Sequence, residues 1–440
     1  ERQAIVKLFA VVVFYRMVVY LGNFKYFCFK NRTNLDSMNN EVKVVLFDTF
    51  ESFENLLPLS YTRPVADFRV GIMTIREKWE HYLPGNYSYK TTEYLGEKFP
   101  VAVSADEEVV FIAGNVLPDE DLAARVLALE SGGALRDCSG LVAFRGSLRQ
   151  FGELDPVESS VEGDEVSRIQ YVYDVFRENG QEICRDYDLL AKRGKGQAPD
   201  ASVTIIGSVE SSGGMPRIYI EDGAVVEGAV LNVKNGPIYI GKDAVVMEGA
   251  CLRGPIALCD NAVVRMGAKV YGSTTIGPYC KVGGELDNAV MFGFSNKAHD
   301  GYLGNAVIGE WCNLGAGANA SNLKNDYTKI RIWNYHTQRF MRTDLQFCGL
   351  IMGDHSKAGI NTMFNTATVV GVGVNLHGAG FPRTFIPSFS SGSPEGGFDN
   401  VSIDKFMDTA GMVMQRRGLA LTDVDRRIFD TIYRSAARFK

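Results

Sequence analysis

Histidine is scarce in this chain, with five in 440 residues. Paired cysteines are missing altogether. Eight cysteines stand at 28, 138, 184, 251, 259, 280, 312 and 348, none of them in C-x-x-C and none with a histidine at zinc-finger spacing. That excludes a zinc module and argues against a disulfide framework. It predicts reduced, small, mostly buried thiols of a cytoplasmic protein. An excess of positive charge is also missing. Lys and Arg number 46 against 52 Asp and Glu, giving a net charge of −6 and a pI near 5.6. A broad basic face for nucleic acid is therefore not expected. Proline, at 14, is too sparse to signal disorder. A clean membrane span is lacking too. "AIVKLFAVVVFYRMVVYLGNFKYF" is interrupted by Lys7 and Arg16, and no small-residue cleavage site follows. "MNNEVKVVLFDT", from Met38, reads as the start of a domain with its first strand. Residues 1–37 are thus expected to be an extension outside the fold, with a targeting segment as the alternative.

What is abundant is glycine, at 46 residues. The usual share is roughly 7%, so the excess needs a structural cause. The cause is a repeat. Every sixth residue from Ile240 is aliphatic: Ile240, Val246, Leu252, Leu258, Val264, Val270, Ile276 and Val282. Four residues after each stand Ala244, Ala250, Ile256, Ala262, Ala268, Thr274, Cys280 and Leu286, mostly small. A period of six fits neither a helix nor a flat strand. It fits a parallel β-helix, in which each hexapeptide makes one side of a triangular coil and the aliphatics stack inside. After Val282 the register fails. It resumes out of phase at Tyr302, Ile308 and Leu314, fails again through 321–347, and resumes at Met352. His299 is expected on an excursion between coils, and such excursions often form the binding face.

Length predicts two or three domains. Residues 38–200 read as an α/β, Rossmann-like domain. "VKVVLF", "EVVFIAG" and "GLVAFRG" are short apolar strands, and "VGIMTIREKWEHYL" and "DEDLAARVLAL" are helical, the second capped by Asp119 or Asp121. A basic, Gly-containing linker ends it. Residues 201–400 are the β-helix. Residues 401–440 are two short helices, with Ser402 and Thr422 as caps and Gly418 as a stop.

Around His299 the residues Ser295, Asn296, Lys297, Asp300 and Tyr302 are polar, and "GAGAN" follows one coil later. Histidine can take a proton from an amine near neutral pH. Backbone N–H groups of a Gly-rich turn can hold the oxyanion that forms when an amine attacks a thioester. A surface histidine without a role is the plain alternative. "AHDGYLGNAVIGEWCNLGAGANASN" resembles one left-handed β-helix family. This is the bifunctional N-acetylglucosamine-1-phosphate uridyltransferase and glucosamine-1-phosphate N-acetyltransferase family, GlmU. The resemblance implies His299 as general base for the amine of glucosamine-1-phosphate. It implies Arg265, Tyr302 and Asn313 at the sugar phosphate, Ala316 and Gly378 as backbone contacts to acetyl-CoA with Asn322 near the same site, and Lys329 as a further substrate contact. It also implies a homotrimer. The sequence departs from the family at Asp287, where a lysine is usual, and in "NLKN" for "NYDG". His336, His355 and His377 remain alternative bases.

The first domain resembles a divergent sugar nucleotidyltransferase domain, but no glycine-rich loop follows its first strand. The resemblance implies uridylyl transfer from UTP with Mg2+. Arg63 stands near the expected lysine, Asn115 replaces the metal-binding aspartate, and Asp186 or Asp188 offers another carboxylate. Arg63, Arg69 and Arg76 read equally as a solvated helix face. Two further readings stay open: a nucleotidyltransferase whose β-helix only oligomerises, and a non-catalytic trimeric scaffold. No nucleic acid or membrane partner is expected.

Overall fold

Two apolar runs, "VVLF" and "VVFIA", make the centre of the first sheet. The computed structural model describes residues 42–155, 158, 165–192 and 196–440. The expectation for residues 1–37 lies outside them. Strands β1 (Val42–Phe47), β2 (Gly85–Lys90), β3 (Val109–Ala113), β4 (Ala134–Asp137) and β5 (Gly140–Gly146) form one sheet in the order β2-β1-β3-β5-β4. The first three are parallel, and β5 is antiparallel to both β3 and β4. The central strands are buried, as parallel strands covered on both faces must be. Helix α1 (Phe50–Asn55) starts at Thr49, α2 (Ile75–Tyr82) at Thr74 and α3 (Glu120–Leu127) at Asp119, each through a side-chain cap. The helix expected from "VGIMTIREKWEHYL" is shorter than the motif. Gly71 has φ +87°, and Thr74 caps the chain only afterwards. A short helix α4 (Leu148–Gly152) follows β5, and the long helix α5 (Asp174–Ala191) crosses to the second domain.

The hexad repeat builds a prism with three faces of parallel strands. Face A stacks Ile238–Ile240, Ile256–Leu258, Thr274–Ile276, then the 289–291 and 306–308 segments. Face B stacks Val245–Val246, Val263–Val264, Lys281–Val282, Asn296–Lys297 and Asn313–Leu314. Face C stacks Cys251–Arg253, Lys269–Val270, the 285–286 and 302–303 segments, and Asn319–Ala320. All eight aliphatics of the series and the eight residues four positions on are buried. The expected parallel β-helix is the architecture of 204–393.

The break after Val282 is a shortening, not an insertion. Val264 pairs with Val282, 18 residues on, but Val282 pairs with Lys297, only 15 on. Leu303, not Tyr302, is the inward residue of the next coil. The second break is a true insertion. It carries a hairpin, Arg331–Asn334 with Arg339–Arg342, and it clasps the first domain. Ile330, Ile332 and Tyr335 are buried in the first domain's core, and Asn334 donates to Asn55 at 2.9 Å.

Face A is apolar on its outer side, and the first domain covers it. Val290, Phe292, Val307, Ile351 and Val369 belong to the same core as β1 and β3. Helices α6 (Ile403–Gln415) and α7 (Asp423–Ala436) complete that core with Phe406, Ile428, Phe429 and Ile432. Thr422 caps α7, whereas Ser402 makes no side-chain cap bond. Among the described residues, no helix is long and apolar enough to cross a membrane.

Candidate active site

The turns joining face B to face C stack along one edge of the prism. Arg265, Met266, Ala298, His299, Ala316 and Ile360 line an open cleft there. Glycine makes the close stacking possible. A Cβ on Gly301, which has φ +121°, would meet the Ala318 carbonyl oxygen at 2.1 Å. His299 is exposed. In the next turn, Gly315 N–H is bonded to Ala358 and Gly317 N–H to Asp300. Ala316 N–H is the donor that turn leaves over among the described residues. Met266 and Ile360 stand 70% and 72% exposed, large apolar groups at the lip of a polar cleft.

The other expected residues divide between faces. Tyr302 lies on face C, where its hydroxyl accepts from Asn322 at 2.9 Å, and Asn322 also donates to Asn305 at 2.8 Å. Burial first, then the Asp287 charge, pushes the Tyr302 phenol up to about 12. Asn313 is exposed on face B, level with Asn296. Gly378, with φ +82°, follows Leu376 on the same edge as Ala316, two coils further on. Lys329 lies apart, on the insertion, donating to the Asp344 carbonyl. Of the alternative bases, His355 is buried among Trp311, Phe406 and Phe429, and burial lowers it to about 3. His336 lies 3.5 Å from Glu54 on the insertion, and His377 is exposed beside Gly378.

In the first domain, a cleft opens at the carboxyl ends of β1 and β3, where the strand order reverses and α/β sheets take their ligands. Phe47, Thr49, Ser52, Asn115, Arg168 and Gln170 line it. Asn115 donates to the Ile169 carbonyl at 3.2 Å. Two expected residues are elsewhere. Arg63 does not face the cleft. It is buried against face A, 2.5 Å from Asp354 and 3.1 Å from Glu310, with its guanidinium over Phe292. Asp186 is buried on α5, where it binds Lys78 and accepts from the N–H groups of Ile72 and Met73 at 2.8 and 3.0 Å. Its oxygens are taken by protein donors. Asp188 lies on the same helix.

Residues 44–195 match the family model described as sugar nucleotidyl transferase. The bifunctional protein GlmU of Trichodesmium erythraeum (strain IMS101) is 30% identical over 143 residues, 31% of this chain and 25% of that protein. The chain resembles GlmU. It spans about a quarter of the length of that curated relative. An Arabidopsis UDP-N-acetylglucosamine acyltransferase aligns at 14% identity over 50% of this chain and 80% of its own, with a TM-score of 0.22. A second UDP-N-acetylglucosamine acyltransferase aligns at 12% over 56% and 82%, with a TM-score of 0.18.

Among the described residues, the metal ligands expected of the nucleotidyl transferase-type domain do not converge. Asn115 is uncharged, Asp186 is bound to Lys78, and among the described residues no group of three His, Cys, Asp or Glu is placed to hold a metal. Arg168 is the cleft's cation, but it pairs with buried Asp137 at 2.9 Å. The sequence reading missed Arg168, Asp354 and the inward placement of Lys297. Asp354 is 291 residues from Arg63, a pairing no local motif encodes. Lys297 was legible in principle, by counting the face B column through the shortened coil.

Proposed function

We propose that the protein is a transferase of sugar-nucleotide biosynthesis that moves an acetyl group from acetyl-CoA to the amine of glucosamine-1-phosphate. The observation that carries this is the single cleft holding His299, Arg265 and Ala316. The amine nitrogen attacks the thioester carbonyl, the C–S bond breaks, and coenzyme A leaves as the thiol. His299 takes the proton the amine loses. Arg265 offers a guanidinium to the sugar phosphate. Ala316 N–H, left over in its turn among the described residues, is the donor this reading assigns to acetyl-CoA. Tyr302 and Asn313 lie on different faces of the prism, and neither lines the His299 cleft within one chain, so a second copy would be needed to bring them to it. That supports the reading of a homotrimer with shared sites.

The family-model match supports the second half of the proposal, uridylyl transfer from UTP to N-acetylglucosamine-1-phosphate at the Asn115 cleft. Among the described residues that cleft gathers no metal-holding group of acids, and its Arg168 is already paired with Asp137, which favours the rival, a first domain that binds without turnover. One coupled assay separates them. Thiol release from acetyl-CoA and glucosamine-1-phosphate reads the first half, and pyrophosphate release after UTP and magnesium reads the second. His299→Ala is expected to lower thiol release by roughly 10²–10⁴-fold and leave assembly unchanged. Undiminished thiol release in that variant sinks the base assignment. Pyrophosphate alone reduces the β-helix to an oligomerising element, and neither product leaves a scaffold.

A further inference from the structure

The inward column of face B reads Val246, Val264, Val282, Lys297, Leu314. Lys297 is fully buried at a position where its neighbours above and below are aliphatic. No carboxylate lies within ion-pair distance of it among the described residues. Its ammonium instead donates to three carbonyls: His299 at 2.5 Å, Asp300 at 3.2 Å and Gly283 at 3.5 Å. Two belong to the His299 turn and one to the coil below, so the side chain ties the two coils together from inside.

An unpaired ammonium in an apolar column is costly. An aliphatic residue would fill the space, as Leu314 does one coil on. The His299 carbonyl, however, receives no backbone N–H among the described residues; Lys297 is its donor. Fixing that carbonyl inward fixes the backbone at residue 299, so its side chain projects outward into the cleft beside Arg265 and Ala316. The charge sits under the one turn that carries the candidate base. Burial also lowers the Lys297 ammonium to about 8, in keeping with a site that tolerates the group for its donors.

We propose that Lys297 is a positioning residue that orients the His299 turn from inside the β-helix. It does so without touching substrate. The proposal rests on the acetyl-transfer reading for its kinetic consequence and on geometry alone for its structural one. The test therefore has two arms on the full chain. The first compares wild type with Lys297→Met and Lys297→Leu for Tm, KM and kcat in thiol release. The second follows the ring Cε1–H signals of the five histidines by NMR, with His299 assigned from His299→Ala.

The expected result is an unchanged or higher Tm, a KM within about twofold, and a kcat lower by roughly tenfold to a hundredfold, the scale of a misplacement near 1 Å. The His299 signal shifts or broadens while the other four stay in place. A folded variant with wild-type kcat and an unmoved His299 signal overturns the proposal. So does failure of both apolar variants to fold, which makes Lys297 a folding residue. If wild type itself releases no thiol, the acetyl-transfer reading falls, and the NMR arm still decides whether Lys297 orients the turn.

Discussion

Lys78 lies buried between two carboxylates, Glu182 at 2.7 Å and Asp186, while Arg185 pairs with Glu182 from outside. Burial raises Asp186 to about 6, against the pull of Lys78 and with the push of Glu182. A carboxyl whose folded pKa lies above its unfolded value of 3.8 holds its proton better in the folded state. Its contribution is greatest at low pH and is lost as pH rises from about 4 to about 6. Asp186→Asn removes that titration. The stability of wild type relative to the variant is therefore expected to fall by up to about 3 kcal/mol between pH 4 and pH 7, read from urea midpoints. A difference that stays flat across that range shows that Asp186 titrates as an exposed carboxyl does. This residue also shows why single positions were hard to read. Asp186 and Arg63 had the right chemistry for metal and phosphate, but their partners, Lys78 and Asp354, are distant in sequence and only folding reveals that those charges are already satisfied.

At the scale of elements the repeat was legible because its cause is local. A hexad places one aliphatic inside each side of the coil, and the eight-residue run from Ile240 to Val282 shows it directly. Counting by six does not tell a coil shortened by three residues from an inserted loop, so the sequence predicts an excursion where the structure has a short coil. The insertion that follows Ala320 was legible as a break, but not as a clasp on the first domain. The inward rule makes a sharp contrast between neighbours. Leu252 is buried and Cys251, beside it on face C, is exposed. Leu252→Ala is expected to cost about 2–5 kcal/mol, and Cys251→Ala to lie within about 0.5 kcal/mol of wild type. Equal losses in urea unfolding would mean that the column is not the element's source of stability.

For the whole molecule, the question is whether the two domains unfold separately. Residues 42–440 cluster as one compact unit. One core contains β1 and β3 from the first domain, the outer side of face A, and both C-terminal helices. The interface is not a surface contact between finished domains, because face A without its cover would expose Val290, Phe292, Val307, Ile351 and Val369 together. Arg63 adds a buried charge that reaches across to Asp354 and Glu310. Unfolding in urea is thus expected to be a single transition, coincident for far-UV circular dichroism and for Trp79 fluorescence in a Trp311→Phe, Trp333→Phe background. Trp79 is buried in the first domain, so it reports that domain, whereas the circular dichroism reports both. Arg63→Ala leaves Asp354 buried without its cation, and removing one partner of a buried pair costs about 3–5 kcal/mol. In a cooperative molecule that loss lowers the midpoint of both probes together. If Trp79 alone moves to lower urea, the first domain is docked as an independent unit, and the shared core does not couple the folding of the two halves.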